Sequence, residues 1–128
     1  MESTNIQERT YEFACRIIRL TETLGRSLVA RTIARQVLRS GTSVGANLEE
    51  ATAAQSKADF VSKCSIAAKE ARETLYWLRL LTASRSVRTE RLVSLISEAE
   101  EIVAILTAIV KNAGKSSSRG HSTFNIQH

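Results

Sequence analysis

The chain has 128 residues, 43% of them hydrophobic, 5% aromatic and 24% charged, which suits one domain with a real core and is too apolar for a disordered chain. No run of about 18 uncharged apolar residues occurs, so a membrane-spanning helix is excluded. The net charge is +5, but Lys111, Lys115 and Arg119 lie in the last 18 residues without an acid, leaving the body through Val110 with 15 cations against 13 acids, a net +2. A basic total therefore says less about partners than the placement of the charges.

With no proline, five glycines and a predominance of Ala, Leu, Glu, Arg and Ser, the sequence predicts an all-α protein. The first helix is expected over about 6–24, with Phe13, Ile17, Leu20 and Leu24 on one face and Gly25 as its stop. The second, about 28–54, carries a line through Ile33, Val37, Gly41, Val44, Leu48 and Ala51. The third, about 57–83, opens behind Ser56 with Asp59 three positions on, a weaker capping box, and has a seam of Phe60, Cys64, Ala67, Ala71, Leu75 and Leu78. The fourth, about 89–112, runs through Leu92, Leu95/Ile96, Ala99, Ile102/Val103, Leu106 and Ile109/Val110 to Gly114. Short connections between four such segments favour an antiparallel up-down-up-down four-helix bundle over residues 1–114. Residues 115–128, rich in Ser and Gly, are expected to form a disordered polar tail.

Chemistry is constrained by what the body lacks. Both histidines, His121 and His128, fall in the tail, which leaves the helices without an imidazole for a metal, a triad or a near-neutral general base. Cys15 and Cys64 read as small buried residues with free thiols, a disulfide being the lesser alternative. No enzyme activity, cofactor or metal is expected. The polar start, Met1 to Tyr11, gives the further expectation of no secretory signal and a cytoplasmic location.

One stretch is distinctive. It runs Arg39-Ser40-Gly41-Thr42-Ser43-Val44-Gly45-Ala46-Asn47-Leu48-Glu49-Glu50-Ala51, then Ser56 with Asp59-Phe60, then Ala68-Lys69-Glu70-Ala71-Arg72-Glu73-Thr74 with Trp77-Leu78. Across roughly residues 8–112 the chain resembles the four helix bundle protein family, encoded in intervening sequences of bacterial large-subunit ribosomal RNA genes or standing alone. The resemblance implies a four-helix fold, a ring-like homo-oligomer with a pentamer favoured, and no established enzyme activity. It also implies kinship with accessory proteins of diversity-generating retroelements, basic helical rings that work beside a reverse transcriptase and nucleic acid. The family has no agreed catalytic residues, so none is carried over.

Gly41 and Gly45 each cost about 1 kcal/mol relative to Ala inside a helix, which points to close helix packing. A phosphate loop is the rival, but no Gly-Lys-Ser/Thr follows and no strand precedes. Beside the core line of the second helix runs a polar one, Gln36, Ser40, Ser43, Asn47 and Glu50, matched on the third by Asp59, Lys63, Ile66, Glu70, Glu73 and Trp77. Antiparallel pairing is expected to bring Glu50 near Lys63, Ser43 near Glu70 and Arg39 near Arg72 and Glu73. These stripes read as hydrogen-bonded helix pairing or a subunit interface comprising Ser40, Ser43, Asn47, Glu50, Lys63, Glu70, Glu73 and Trp77. Carboxylate catalysis by Glu70 and Glu73 is the alternative.

The basic residues carry the strongest functional signal. Arg31, Arg35 and Arg39 recur every four residues, while Arg72, Tyr76 and Arg79 follow a matching rhythm on the third helix. Guanidinium groups beside an aromatic suit phosphates and a stacked base. The connections at one end add Arg26, Arg85, Arg88 and Arg91, with Glu22 and Glu90 nearby. The expected function is thus a non-enzymatic homo-oligomeric scaffold that binds RNA or DNA through Arg31, Arg35, Arg39, Arg72, Tyr76, Arg79, Arg85 and Arg88. The alternative is a protein-interaction adaptor or structural ring whose arginines form an ordinary solvated or interfacial surface.

Overall fold

A computed structural model describes residues 5–84 and 89–118. They form four helices in chain order: α1 (Ile6–Thr23), α2 (Leu28–Thr52), α3 (Lys57–Ala83) and α4 (Thr89–Ser118). Each of the first three starts on a side-chain cap. Asn5 accepts from the Gln7 N–H at 2.8 Å, Ser27 from Ala30 at 3.0 Å and Ser56 from Asp59 at 3.1 Å, so donors orphaned at the helix start find oxygen partners. At α3 the Asp59 carboxylate accepts from Gln55 N–H at 3.4 Å, one residue upstream of the reciprocal partner a capping box would use.

Two expected stops differ. The chain leaves α1 through an extended Leu24, and Gly25 does not take the left-handed conformation that makes glycine a stop signal. Helix α4 continues past Asn112 and through Gly114 to Ser118, so the first four positions assigned to a disordered tail are helical. A single exposed glycine, costing about 1 kcal/mol, does not end a helix whose preceding turns are anchored in the core. Residues 119–128 lie outside the described residues.

The helices pack in sequence, α2 on α3 most extensively, then α3 on α4 and α1 on α2, with α1 closing on α4 least. Antiparallel order shows in the cross-helix bonds. Arg9 of α1 reaches Glu98 and Glu101 of α4, whereas Arg16, farther along α1, reaches Ser94, earlier in α4. This is an up-down four-helix bundle. Its interior holds Phe13, Ile17 and Leu20 from α1, Val37, Val44 and Leu48 from α2, Phe60, Cys64 and Leu78 from α3, and Leu92, Ile102 and Leu106 from α4. On α3 the buried line passes through Thr74, with Leu75 only half-buried. The reason is polar pairing: the Thr74 hydroxyl shares a 2.8 Å hydrogen bond with Ser40 of α2 and lies 2.8 Å from the Glu70 carbonyl oxygen. A buried hydroxyl with partners costs little, and this one ties α2 to α3.

Candidate nucleic-acid interface

The α2–α3 pair presents most of the arginines singled out in the sequence. Arg31 and Arg35 project from the α2 surface, and Arg72 and Tyr76 from α3, all exposed. Among the described residues, Arg31, Arg35 and Arg72 form no ion pair. Tyr76 is 57% exposed and meets Trp77 edge-on, with centroids 5.0 Å apart. Arg79 lies 3.4 Å from Glu100 of α4 in a solvent-exposed pair, which is worth little and leaves the guanidinium accessible. Arg85 and Arg88 lie outside the described residues.

Arg39 differs from the rest of its ridge. Its guanidinium donates to Glu70 at 3.1 Å and also to Glu73, and the Trp77 indole N–H donates to that same Glu73 oxygen at 3.1 Å. The hydrogen bond from Arg39, followed by that from Trp77, holds the Glu73 carboxyl below the usual glutamate range. The Glu73 bond in turn leads the causes that raise Arg39. Arg39 therefore meets Glu73 as the antiparallel register requires, and its charge is largely answered within the chain. A carboxyl held ionised in this way is also the reverse of the raised group that acid catalysis uses.

The remaining polar stripe is divided between one cross-helix bond, bonds within α2 and exposed or half-buried side chains. Ser40 is fully buried against Thr74. Asn47 donates to the Ser43 carbonyl at 2.9 Å and to its hydroxyl at 3.0 Å, within α2. Glu50 is exposed and Lys63 half-buried, and no ion pair joins them. Trp77 packs partly against the core. Cys15 and Cys64 are free thiols, and burial pushes Cys64 up to about 11. Among the described residues, no group of three or more His, Cys, Asp or Glu side chains is placed to hold a metal ion. Nor, among those residues, is any helix long and apolar enough to cross a membrane.

Sequence reasoning missed the polar chemistry of the α1–α4 seam. Arg9 donates to Glu98 at 2.7 and 3.0 Å and to Glu101 at 2.8 Å, and these bonds raise its affinity for the proton. Farther along, Arg16 donates to the Ser94 hydroxyl at 2.7 Å. The available signal was the seven-residue step from Arg9 to Arg16 facing an i, i+3 acidic pair on the last helix.

Fold and surface together define a class, an up-down four-helix bundle whose α2 and α3 expose an aromatic side chain and arginines that form no ion pair among the described residues. Residues 2–108 match the model of the 23S rRNA-intervening sequence protein family, and the chain belongs to that family. A protein of unknown function from the S23 ribosomal protein family of Bacteroides thetaiotaomicron has a similar structure. It is 41% identical, with a TM-score of 0.75 over 84% of this chain and 99% of that one. No curated protein matches.

Proposed function

We propose that this protein is a non-enzymatic homo-oligomeric scaffold that binds RNA or DNA through the arginine surface of α2 and α3. The observation that carries the reading is the exposure of Arg31 and Arg35 on α2 and of Arg72 and Tyr76 on α3, the three arginines unpaired with any described acid. Guanidinium forks match phosphate oxygens, and a tyrosine face accepts an unstacked base. Such contacts read backbone and shape more than sequence. The family's association with a ribosomal RNA intervening sequence makes RNA the first ligand to try. Arg39, occupied by Glu70 and Glu73, serves to hold the surface together.

Fluorescence anisotropy with a labelled single-stranded RNA and a duplex DNA tests the reading. Binding is expected at low salt, with at least a tenfold loss in the Arg31→Glu/Arg35→Glu double variant. Equal, negligible binding by both proteins overturns it. The adaptor reading would then gain, since Leu28 is 75% and Val29 59% exposed at the start of α2, an apolar surface suited to a protein contact. Assembly is checked by light scattering: a 14.1 kDa chain forming the favoured pentamer should run at about 70 kDa.

A further inference from the structure

The least tightly closed seam of the bundle, between α1 and α4, holds a cleft of about 240 Å³ lined by Arg16, Arg19, Leu20, Arg91, Ser94 and Leu95. Three arginines and a serine thus line one concavity together with the buried Leu20 and Leu95. Among the described residues no carboxylate lines it and none of the three arginines forms an ion pair. The acids on these helices stand elsewhere. Glu98 and Glu101 are taken by Arg9, Glu100 faces Arg79, and Glu8, Glu12, Glu22 and Glu90 are absent from the lining. The contrast lies within a single seam: Arg9 is clamped by two carboxylates, and Arg16, Arg19 and Arg91 have none among the described residues.

Like charges gathered around one cavity repel each other unless an anion enters. Arg16 is already aimed, because its bond to Ser94 fixes the guanidinium at the cleft wall. We infer that this cleft is a binding site for a phosphoryl group, held by forked bonds from Arg16, Arg19 and Arg91 with Ser94 as a further hydrogen-bonding partner. The volume, on the order of eight waters at ~30 Å³ each, admits a phosphate ester with part of its sugar and is too small to enclose a dinucleotide cofactor. A free phosphate monoester and a backbone phosphodiester offer the same oxygens. The site is separate from the α2–α3 arginine surface and stands without it.

The test follows arginine Nε–H resonances of the full chain by NMR during titration with inorganic phosphate, adenosine monophosphate and a short single-stranded RNA. Saturable shifts are expected at Arg16, Arg19 and Arg91, with at least a tenfold weaker apparent affinity in Arg91→Gln and in Arg19→Gln. Both positions are exposed, and unchanged thermal melts would confirm that the variants fold. Whichever of the monophosphate and the RNA saturates at lower concentration identifies the source of the phosphoryl group. Shifts that stay linear, or that under inorganic phosphate or the monophosphate are as large at Arg31 and Arg35 as in the cleft, overturn the inference, as does retention of full affinity by both single variants. The Arg31→Glu/Arg35→Glu variant should keep its phosphate response whatever becomes of its RNA affinity, so failure of the α2–α3 reading is distinguishable from failure of this one.

Discussion

A methyl group added at Gly41 would lie 2.9 Å from both Cγ1 and Cγ2 of the fully buried Ile17, whereas one added at Gly45 would meet Thr10 at 3.4 Å. The two glycines look alike in sequence, and replacing either with Ala gains about 1 kcal/mol of helix propensity. At Gly41 that gain is opposed by overpacking of about 1–3 kcal/mol, because a β-branched side chain held at its base has little room to yield. Gly41→Ala should therefore lose about 1 kcal/mol in urea unfolding, and Gly45→Ala should hold even or gain up to about 1 kcal/mol. Equal behaviour of the pair would contradict the packing. Four-residue spacing in the sequence was enough to indicate close helix approach. It could not rank the glycines, since the rotation of α1 against α2 decides which one meets a branched carbon. Cys64 offers a second check at this scale: fully buried, with its thiol pushed up to about 11, it should resist iodoacetamide at pH 8 until the protein unfolds. Mass spectrometry should find its labelling rate tracking denaturant concentration.

Between elements, a polar cluster joins α2 to α3 through Arg39, Glu70, Glu73 and Trp77. Trp77 is the chain's single tryptophan, so its fluorescence reports this cluster. Because Glu73 is held below its ordinary range in the fold, the stabilisation it gives is fully present above the unfolded-chain value. It is lost as pH falls through the lower folded value. Acid titration of Trp77 emission should accordingly show a midpoint below that of a free glutamate, and Arg39→Gln should move the midpoint upward by removing the leading cause. A midpoint indifferent to Arg39 would show that another group governs the signal. The antiparallel register that brings Arg39 to Glu73 was legible from the position of the turn at Ser56. The seam through Thr74 was not, because apolar patterning assigns a core place to Leu75 and gives no credit to a hydroxyl that finds Ser40.

Across the whole molecule, the arginines divide by what faces them. Arg9, Arg39 and Arg79 are paired within the bundle, whereas Arg31, Arg35 and Arg72 on α2 and α3 and Arg16, Arg19 and Arg91 on α1 and α4 have no described acid partner. Order and type of the helices followed from periodicity, but this division did not. It depends on the pairing of the first helix with the last, which brings Arg9 to Glu98 and leaves Arg16 only a serine. Counterion release turns the division into a measurable slope. Each phosphate neutralised on a single strand contributes about −0.7 to the change of log K with log salt. A protomer engaging RNA through Arg31, Arg35 and Arg72 should thus give a slope near −2 on that estimate, and a strand laid across several protomers a proportionate multiple. Arg35→Gln should reduce the slope by about 0.7 per engaged protomer. Lys111→Gln removes an equal charge from exposed α4 surface near the opposite end of the bundle and should leave the slope unchanged. If both variants flatten it alike, binding follows net charge and the arrangement of arginines on α2 and α3 plays no special part. If Arg35 alone does so, the placement of charge along the two helices determines how RNA is held.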